Sequence, residues 1–334
     1  MRAPTPPLLT SLLRDVSRSF YLSLRFLPRS VRDPIGLAYL LARATDTIAD
    51  TEVLPMEDRL GALALLRDRI LGNRDEPVDF GELARNQALP AERELLSRIE
   101  EAISLLEGLA GFDRCCIRTV IETITGGQEL DLVRFDGASP DRIIALETLA
   151  DLDDYTYRVA GCVGTFWTRV CRTHLYPEAQ LDVGTYQDDA VRFGKGLQFV
   201  NILRDLPKDL RQGRCYIPTE VLQQARLDPE DLLDSTNMDA FRRVYRALLV
   251  LAAEHLESGW RYTCATPRDQ RRVRFCCALP LLIGADTLRL LGQCNVLDAA
   301  HRVKISRRRV RAHLMRTVLL QPFPRRWEAM FAGG

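Results

Sequence analysis

Phe193-Gly-Lys-Gly-Leu-Gln-Phe-Val-Asn-Ile-Leu-Arg-Asp205-Leu-Pro-Lys-Asp209-Leu210 is the stretch whose reading decides the fold. Gln198, Asn201, Asp205 and Asp209 recur at three- and four-residue steps, and Phe193, Leu197, Phe199, Val200, Ile202 and Leu203 fill the positions around them. That period is helical. A helix apolar on its remaining sides is expected to be buried, with a polar stripe that needs partners. Unpaired carboxylates there would be costly, and bound cations would relieve the cost. Pro207 lies between the two aspartates, removes one backbone donor and predicts a kink.

A second copy of the pattern stands nearer the N-terminus, as Asp46-Thr-Ile-Ala-Asp50. The i,i+4 spacing puts both carboxylates of a pair on one helix face. Tyr39, Arg43, Asp46 and Asp50 form one stripe. A single acidic pair of this kind also reads as a solvated face, and Arg43 as an ordinary salt-bridge partner of Asp46. The surroundings favour chemistry. Ser17-Arg18-Ser19-Phe20 adds a cation, hydroxyls and an aromatic ring, and Arg204, Lys208, Arg211 and Arg214 gather around the second pair. Paired carboxylates with Mg²⁺ plus several cations form a clamp for a diphosphate group. Tyr155 and Tyr157 stand beside Gly161 and Gly164, which reads either as aromatic hydroxyls at a site or as plain helix packing.

The bulk properties fit a helical, reduced protein. The 334 residues carry 46% hydrophobic side chains, enough for a sizeable core, and no Gly/Ser/Pro-rich linker divides them, so one all-α domain is expected. Nine cysteines without a CxxC pair suggest buried free thiols in a reducing compartment and no disulfide framework. Pro4, Pro6 and Pro7 with Arg14 and Asp15 argue against a signal peptide. No apolar run is long enough to span a membrane. The formal net charge is only +1, but from His301 onward nine Lys and Arg residues face Glu328 alone. Such an end can meet an anionic membrane, a nucleic acid or a polyanionic small molecule. The sequence holds no GxGxxG after a strand, no P-loop and no GxSxG, which speaks against Rossmann dehydrogenases, P-loop kinases and serine hydrolases.

Helices are expected at residues 31–51, 60–71, 91–109, 115–135, 149–171, 187–210, 241–263, 271–294 and 306–320. Residues 72–90 read as a loop with a short helix, 136–140 as a loop and 211–218 as a turn.

These motifs resemble the squalene/phytoene synthases, head-to-head condensing trans-prenyl synthases, from about Ser17 to Arg309. The resemblance is carried by Ser17-Arg-Ser-Phe20, by Tyr39 to Asp50, by Gly127-Gln-Glu-Leu-Asp131-Leu, by Tyr155 to Gly164 and above all by Gln198 to Pro218. It implies a single-domain, all-α isoprenoid synthase bundle around a central cavity. It also implies Mg²⁺ at Asp46, Asp50, Asp205 and Asp209, and two farnesyl diphosphates contacted by Ser17, Arg18, Ser19, Phe20, Tyr39, Arg43, Gln198, Asn201, Arg204 and Arg214. Tyr155 or Tyr157 would take an acid/base role, because Arg158 stands before Val-Ala-Gly where some relatives have tyrosine. Asp-Thr-x-x-Asp at 46–50, Cys277-Ala-Leu-Pro280 and Val303 to Arg309 lean toward squalene-forming members. The last segment implies NADPH at Lys304 and Arg307. A phytoene- or dehydrosqualene-type enzyme without reductant and a non-catalytic helical membrane-associated protein are the alternatives. The free thiols place the chain in the cytoplasm, and a lipid-soluble product would bring it into peripheral contact with a membrane through the basic C-terminal helix, Phe323, Trp327 and Phe331.

Overall fold

The computed structural model describes residues 7–17, 20–51, 53–298, 300 and 302–331. Sixteen α-helices lie among them: α1 (Ser11–Ser17), α2 (Phe20–Phe26), α3 (Arg29–Ala49), α4 (Met56–Leu71), α5 (Gly81–Arg85), α6 (Pro90–Ser97), α7 (Ile99–Glu107), α8 (Gly111–Arg134), α9 (Leu149–Thr156), α10 (Cys162–Leu175), α11 (Val183–Arg211), α12 (Thr219–Gln223), α13 (Met238–Ala265), α14 (Arg271–Leu291), α15 (Arg307–Leu319) and α16 (Pro324–Glu328). The strands β1 (Ile144–Ala145) and β2 (Arg214–Cys215) pair in parallel. The all-α class read from the sequence is the class observed.

The chain divides into two compact units, Met1–Val133 with Phe166–Ala179, and Arg134–Thr165 with Gln180–Gly334. In the first, α3 is the central element and packs on α1, α2, α4, α6 and α7. Val31, Ile35, Ala38, Leu41, Ala44 and Ile48 are buried at three- and four-residue steps along it, the stripe that fixes its orientation. In the second, α11 packs on α13, α14 and α9. Its Phe199, Val200, Ile202, Leu203, Leu206 and Leu210 join Tyr245, Leu248, Ala252 and Leu256 of α13 and Ala278 and Leu281 of α14 in one core. Each such side chain contributes about 2 kcal/mol of transfer free energy.

Four expectations change. The stretch 91–109 is two helices, broken at Arg98, whose φ of −113° leaves the helical region. The stretch 149–171 is interrupted by a π-helical turn, Tyr157–Gly161. The polar stripe of α11 is not buried: Asn201 is exposed and Gln198, Asp205 and Asp209 are half-buried, so only the apolar faces are enclosed. Trp327 is no membrane anchor. It is 1% exposed, stacks on Trp260 at 4.8 Å and lies 4.2 Å beneath the Arg274 guanidinium. Phe331 stacks on the same Trp260. Phe323 stays half exposed.

Candidate functional site

The first acidic pair closes α3. Asp46 lies in the last turn and Asp50 caps it, with the Asp50 N–H donating to the carbonyls of Asp46 and Ile48. That last turn holds no basic residue, so two carboxylates sit against the negative end of the helix dipole. Thr45, Thr47 and Thr51 donate their hydroxyls back to Ala42, Arg43 and Thr47 carbonyls and do not serve the aspartates. Arg43 is a counter-charge to Asp46: its Nη1 donates to Asp46 Oδ2 and its Nη2 to Glu92 Oε1. The Asp46 side chain is partly exposed, and partial desolvation, then the like charge of Asp50, push its pKa up to about 7 despite Arg43. Half-buried Tyr39 lies one turn before Arg43. A cavity of about 360 Å³ borders Arg43, with Asp15, Val16, Leu89, Pro90 and Glu92 in its wall.

Ser17 is buried, and its hydroxyl donates to the Leu13 carbonyl of its own helix. Arg18 and Ser19 lie outside the described residues. Phe20 opens α2.

The second pair also lies in the last two turns of its helix. α11 continues through Pro207 to Arg211, so Asp205 and Asp209 share one helix as the spacing predicted. Arg204 grips Asp205 with two arms, Nε at 3.0 Å and Nη2 at 2.5 Å. This pairing raises the Arg204 pKa. Lys208 and Arg211 stand in the last turn, where cations offset the dipole. Arg302 approaches Asp205 Oδ1 at 4.0 Å, a contact the sequence did not suggest. Asn201 donates to Gln198 at 3.4 Å. Gly213, at φ +79°, turns the chain into β2, and a Cβ there would meet the Ser139 backbone at 2.3 Å. The turn brings Arg214 5.9 Å over the Phe135 ring.

Tyr155 lies two residues before the π turn and Tyr157 opens it, a feature enriched at functional sites. Tyr155 is 9% exposed and stacks on Tyr216 at 4.7 Å, whereas Tyr157 is 39% exposed. Lys195 lies 5.8 Å from the Tyr157 ring and pairs with Asp153 at 2.6 Å. Arg158 pairs with Asp154 at 2.8 Å. The small residues here serve a neighbouring backbone: a Cβ on Gly164 would lie 2.0 Å from the Ala190 carbonyl oxygen, and one on Gly194 would lie 2.2 Å from that of Ala160.

Lys304 and Arg307 are exposed, before and at the start of α15. Further along α15, Arg309 donates at 2.6 and 2.9 Å to Asp286 of α14, 1% exposed, which also pairs with His313 at 2.7 Å. Burial works against that charge, but the donated hydrogen bonds win and hold the Asp286 pKa near 2. Asp286 and Glu92 both escaped the sequence reading. Glu92 follows Pro90 in a helix-start pattern, yet nothing local links it to Arg43.

Among the described residues no three or more His, Cys, Asp and Glu side chains cluster as a metal cage. Oxygen ligands offered in pairs, one of them charge-crowded at Asp46, suit Mg²⁺, which binds through one or two carboxylates and completes its shell with water and phosphate. The exposed cations at Lys304 and Arg307 suit a phosphate-bearing dinucleotide.

A model of the squalene/phytoene synthase family matches residues 13–309. The chain is 29% identical over 252 residues to a bifunctional lycopene cyclase/phytoene synthase of Colletotrichum graminicola, covering 73% of this chain and 39% of that protein. It is 27% identical over 285 residues to a squalene synthase of Schizosaccharomyces pombe, covering 83% and 57%. It is 30% identical over 251 residues to a presqualene diphosphate synthase of Rhodopseudomonas palustris, covering 75% and 76%. The chain thus spans less than two thirds of the length of the first two. A complex of TcSQS with the ligand BPH1237 aligns with a TM-score of 0.74 at 22% identity, covering 96% of this chain and 90% of that one, a likeness of fold.

Proposed function

The chain belongs to the squalene/phytoene synthase family, and on that premise we propose that it condenses two farnesyl diphosphates head-to-head and reduces the product to squalene. The observation that carries this reading is the repeated construction: a carboxylate pair at the end of a helix, with an arginine already on one of its members, occurs twice. Mg²⁺ held at Asp46, Asp50, Asp205 and Asp209 would supply the charge compensation that turns diphosphate into a leaving group. Arg18, Arg43, Arg204 and Arg214 add positive charge to the departing diphosphate. Tyr39, Gln198, Asn201 and the Ser17–Phe20 segment orient it. The double bond of the second substrate then adds to the ionised allylic carbon. Loss of a proton, assisted by Tyr155 or Tyr157, closes the cyclopropane of presqualene diphosphate. Tyr157 is the more accessible of the two rings, and comparing Tyr155→Phe with Tyr157→Phe for cyclopropyl product assigns the role. NADPH, held by Lys304 and Arg307, would supply the hydride of the reductive step. Apolar helix faces beside the diphosphates would exclude water from the cations.

Incubating the protein with farnesyl diphosphate and Mg²⁺, with and without NADPH, tests the reading. Squalene only with NADPH is the expected result. Phytoene-type or dehydrosqualene hydrocarbon formed without reductant would replace it with the non-reducing activity. Absence of Mg²⁺-dependent diphosphate release would favour the non-catalytic alternative.

Peripheral membrane contact from the cytoplasm belongs to the same reading. No helix among the described residues is long and apolar enough to cross a bilayer. The outer side of α15 supports contact instead: Met315, Val318 and Leu319 are exposed at 60, 54 and 68%, followed by Phe323, with Arg308 and Arg311 on the same side. Co-sedimentation with anionic vesicles should fall in the double variant Met315→Asp, Leu319→Asp. Unchanged binding would argue against this face.

A further inference from the structure

Arg43 and Arg204 both stand beside an aspartate, yet they hold it differently. Arg204 closes on Asp205 with both Nε and Nη2. Such two-armed pairing is the strongest that arginine makes with a carboxylate. Arg43 gives Asp46 one arm only, because the other donates to Glu92 Oε1. The Arg43 Nε is buried with no hydrogen-bond partner, so the guanidinium is held by its two tips and not along its edge. Glu92 is well placed to keep it so. Its side chain is 13% exposed, and it lies in the first turn of α6 behind Pro90, where the positive end of the helix favours a carboxylate. Both residues border the same cavity.

We propose that Glu92 is a positioning residue that holds Arg43 back from two-armed closure on Asp46, leaving the aspartate able to take a divalent cation. Glu92 acts through Arg43 and needs no contact with the substrate. It keeps the guanidinium in one place, one arm short of Asp46 and open to the anion that the cation would carry. The proposal rests on Asp46 and Asp50 as Mg²⁺ ligands. In its absence Arg43 would copy Arg204, and the cation would have to displace it.

The test is Mg²⁺ binding to the full chain by titration calorimetry in the presence of inorganic diphosphate, with thermal unfolding recorded for every variant. Glu92→Gln should weaken Mg²⁺ about fivefold to tenfold with the unfolding temperature unchanged. Glu92→Asp should retain most of the affinity. In an Arg43→Gln background, Glu92→Gln should have less than about a twofold effect, since its intermediary is gone. An equal loss in both backgrounds would make Glu92 a plain negative charge and overturn the proposal. So would wild-type affinity in Glu92→Gln. If Glu92→Gln fails to fold, Glu92→Ser with and without Arg43→Gln reads the same coupling, and independence of the two positions there overturns it. Absence of Mg²⁺ binding by the parent chain would instead bring down the metal reading itself, and this proposal with it.

Discussion

Asp46 and Asp50 end α3 with no basic residue in its last turn, whereas Asp205 and Asp209 end α11 with Lys208 and Arg211 in that turn and Arg204 beside them. The geometry of the pairs is alike and their charge balance is not. At the first pair one arginine is divided between Asp46 and Glu92, and the Asp46 carboxyl is pushed up to about 7. At the second, protein cations already surround the carboxylates. A ligand cation therefore has more to gain at the first pair, and the protein has more to offer an anion at the second.

The strongest attempt to break this comparison is to remove one carboxylate from each pair. Asp50→Asn and Asp209→Asn, made separately, should each reduce diphosphate release by about 10²–10³-fold. Near-normal turnover in either would remove that pair from the site. A finer cut takes one cation from each. Arg43→Gln, which removes the arginine from Asp46, should cost about tenfold to a hundredfold, while Lys208→Gln should cost less than about threefold because Arg204 stays on Asp205. Equal losses would erase the asymmetry.

Acidity separates the two scaffolds more gently. His255 of α13 stacks on Phe199 of α11 at 5.3 Å, and burial, then Arg192 and Lys195, lower its pKa from 6.5 to about 4. Its imidazole is neutral when folded, and the unfolded chain takes up the proton first as pH falls. The stability it contributes is thus complete above pH 6.5 and is lost between pH 6.5 and about 4. At most about 3 kcal/mol is at stake. Urea unfolding across that window should lose this slope in His255→Gln; a slope that survives would reassign it.

The sequence was most legible where local pattern and structure share a cause. The apolar steps of α3 and α11 and the i,i+4 aspartates all follow from helical period, and Pro207 left that period intact. It was least legible where a partner comes from elsewhere in the chain. Trp327 resembled an interfacial aromatic until Trp260 and Arg274 enclosed it. The break at Arg98 carries no Gly or Pro to announce it. Exposure of Asn201 could not be read from α11 alone, because an apolar helix with a polar stripe fits equally well around a closed core or an open cleft. Glu92 and Asp286 gain their roles only from Arg43, Arg309 and His313.

The π turn at Tyr157–Gly161 has a further consequence. A π turn accommodates one residue more than the α-helix around it, so α9 and α10 are out of phase by about 100°. The backbone contact of Gly164 with Ala190 lies downstream of that slip, and Tyr155 lies upstream. Deleting a single residue from the turn would restore an unbroken helix and rotate one half against the other. Either the tyrosine or the glycine would then leave its station. For this helix, length is as specific as composition, and a one-residue gap is a more disruptive change than most substitutions.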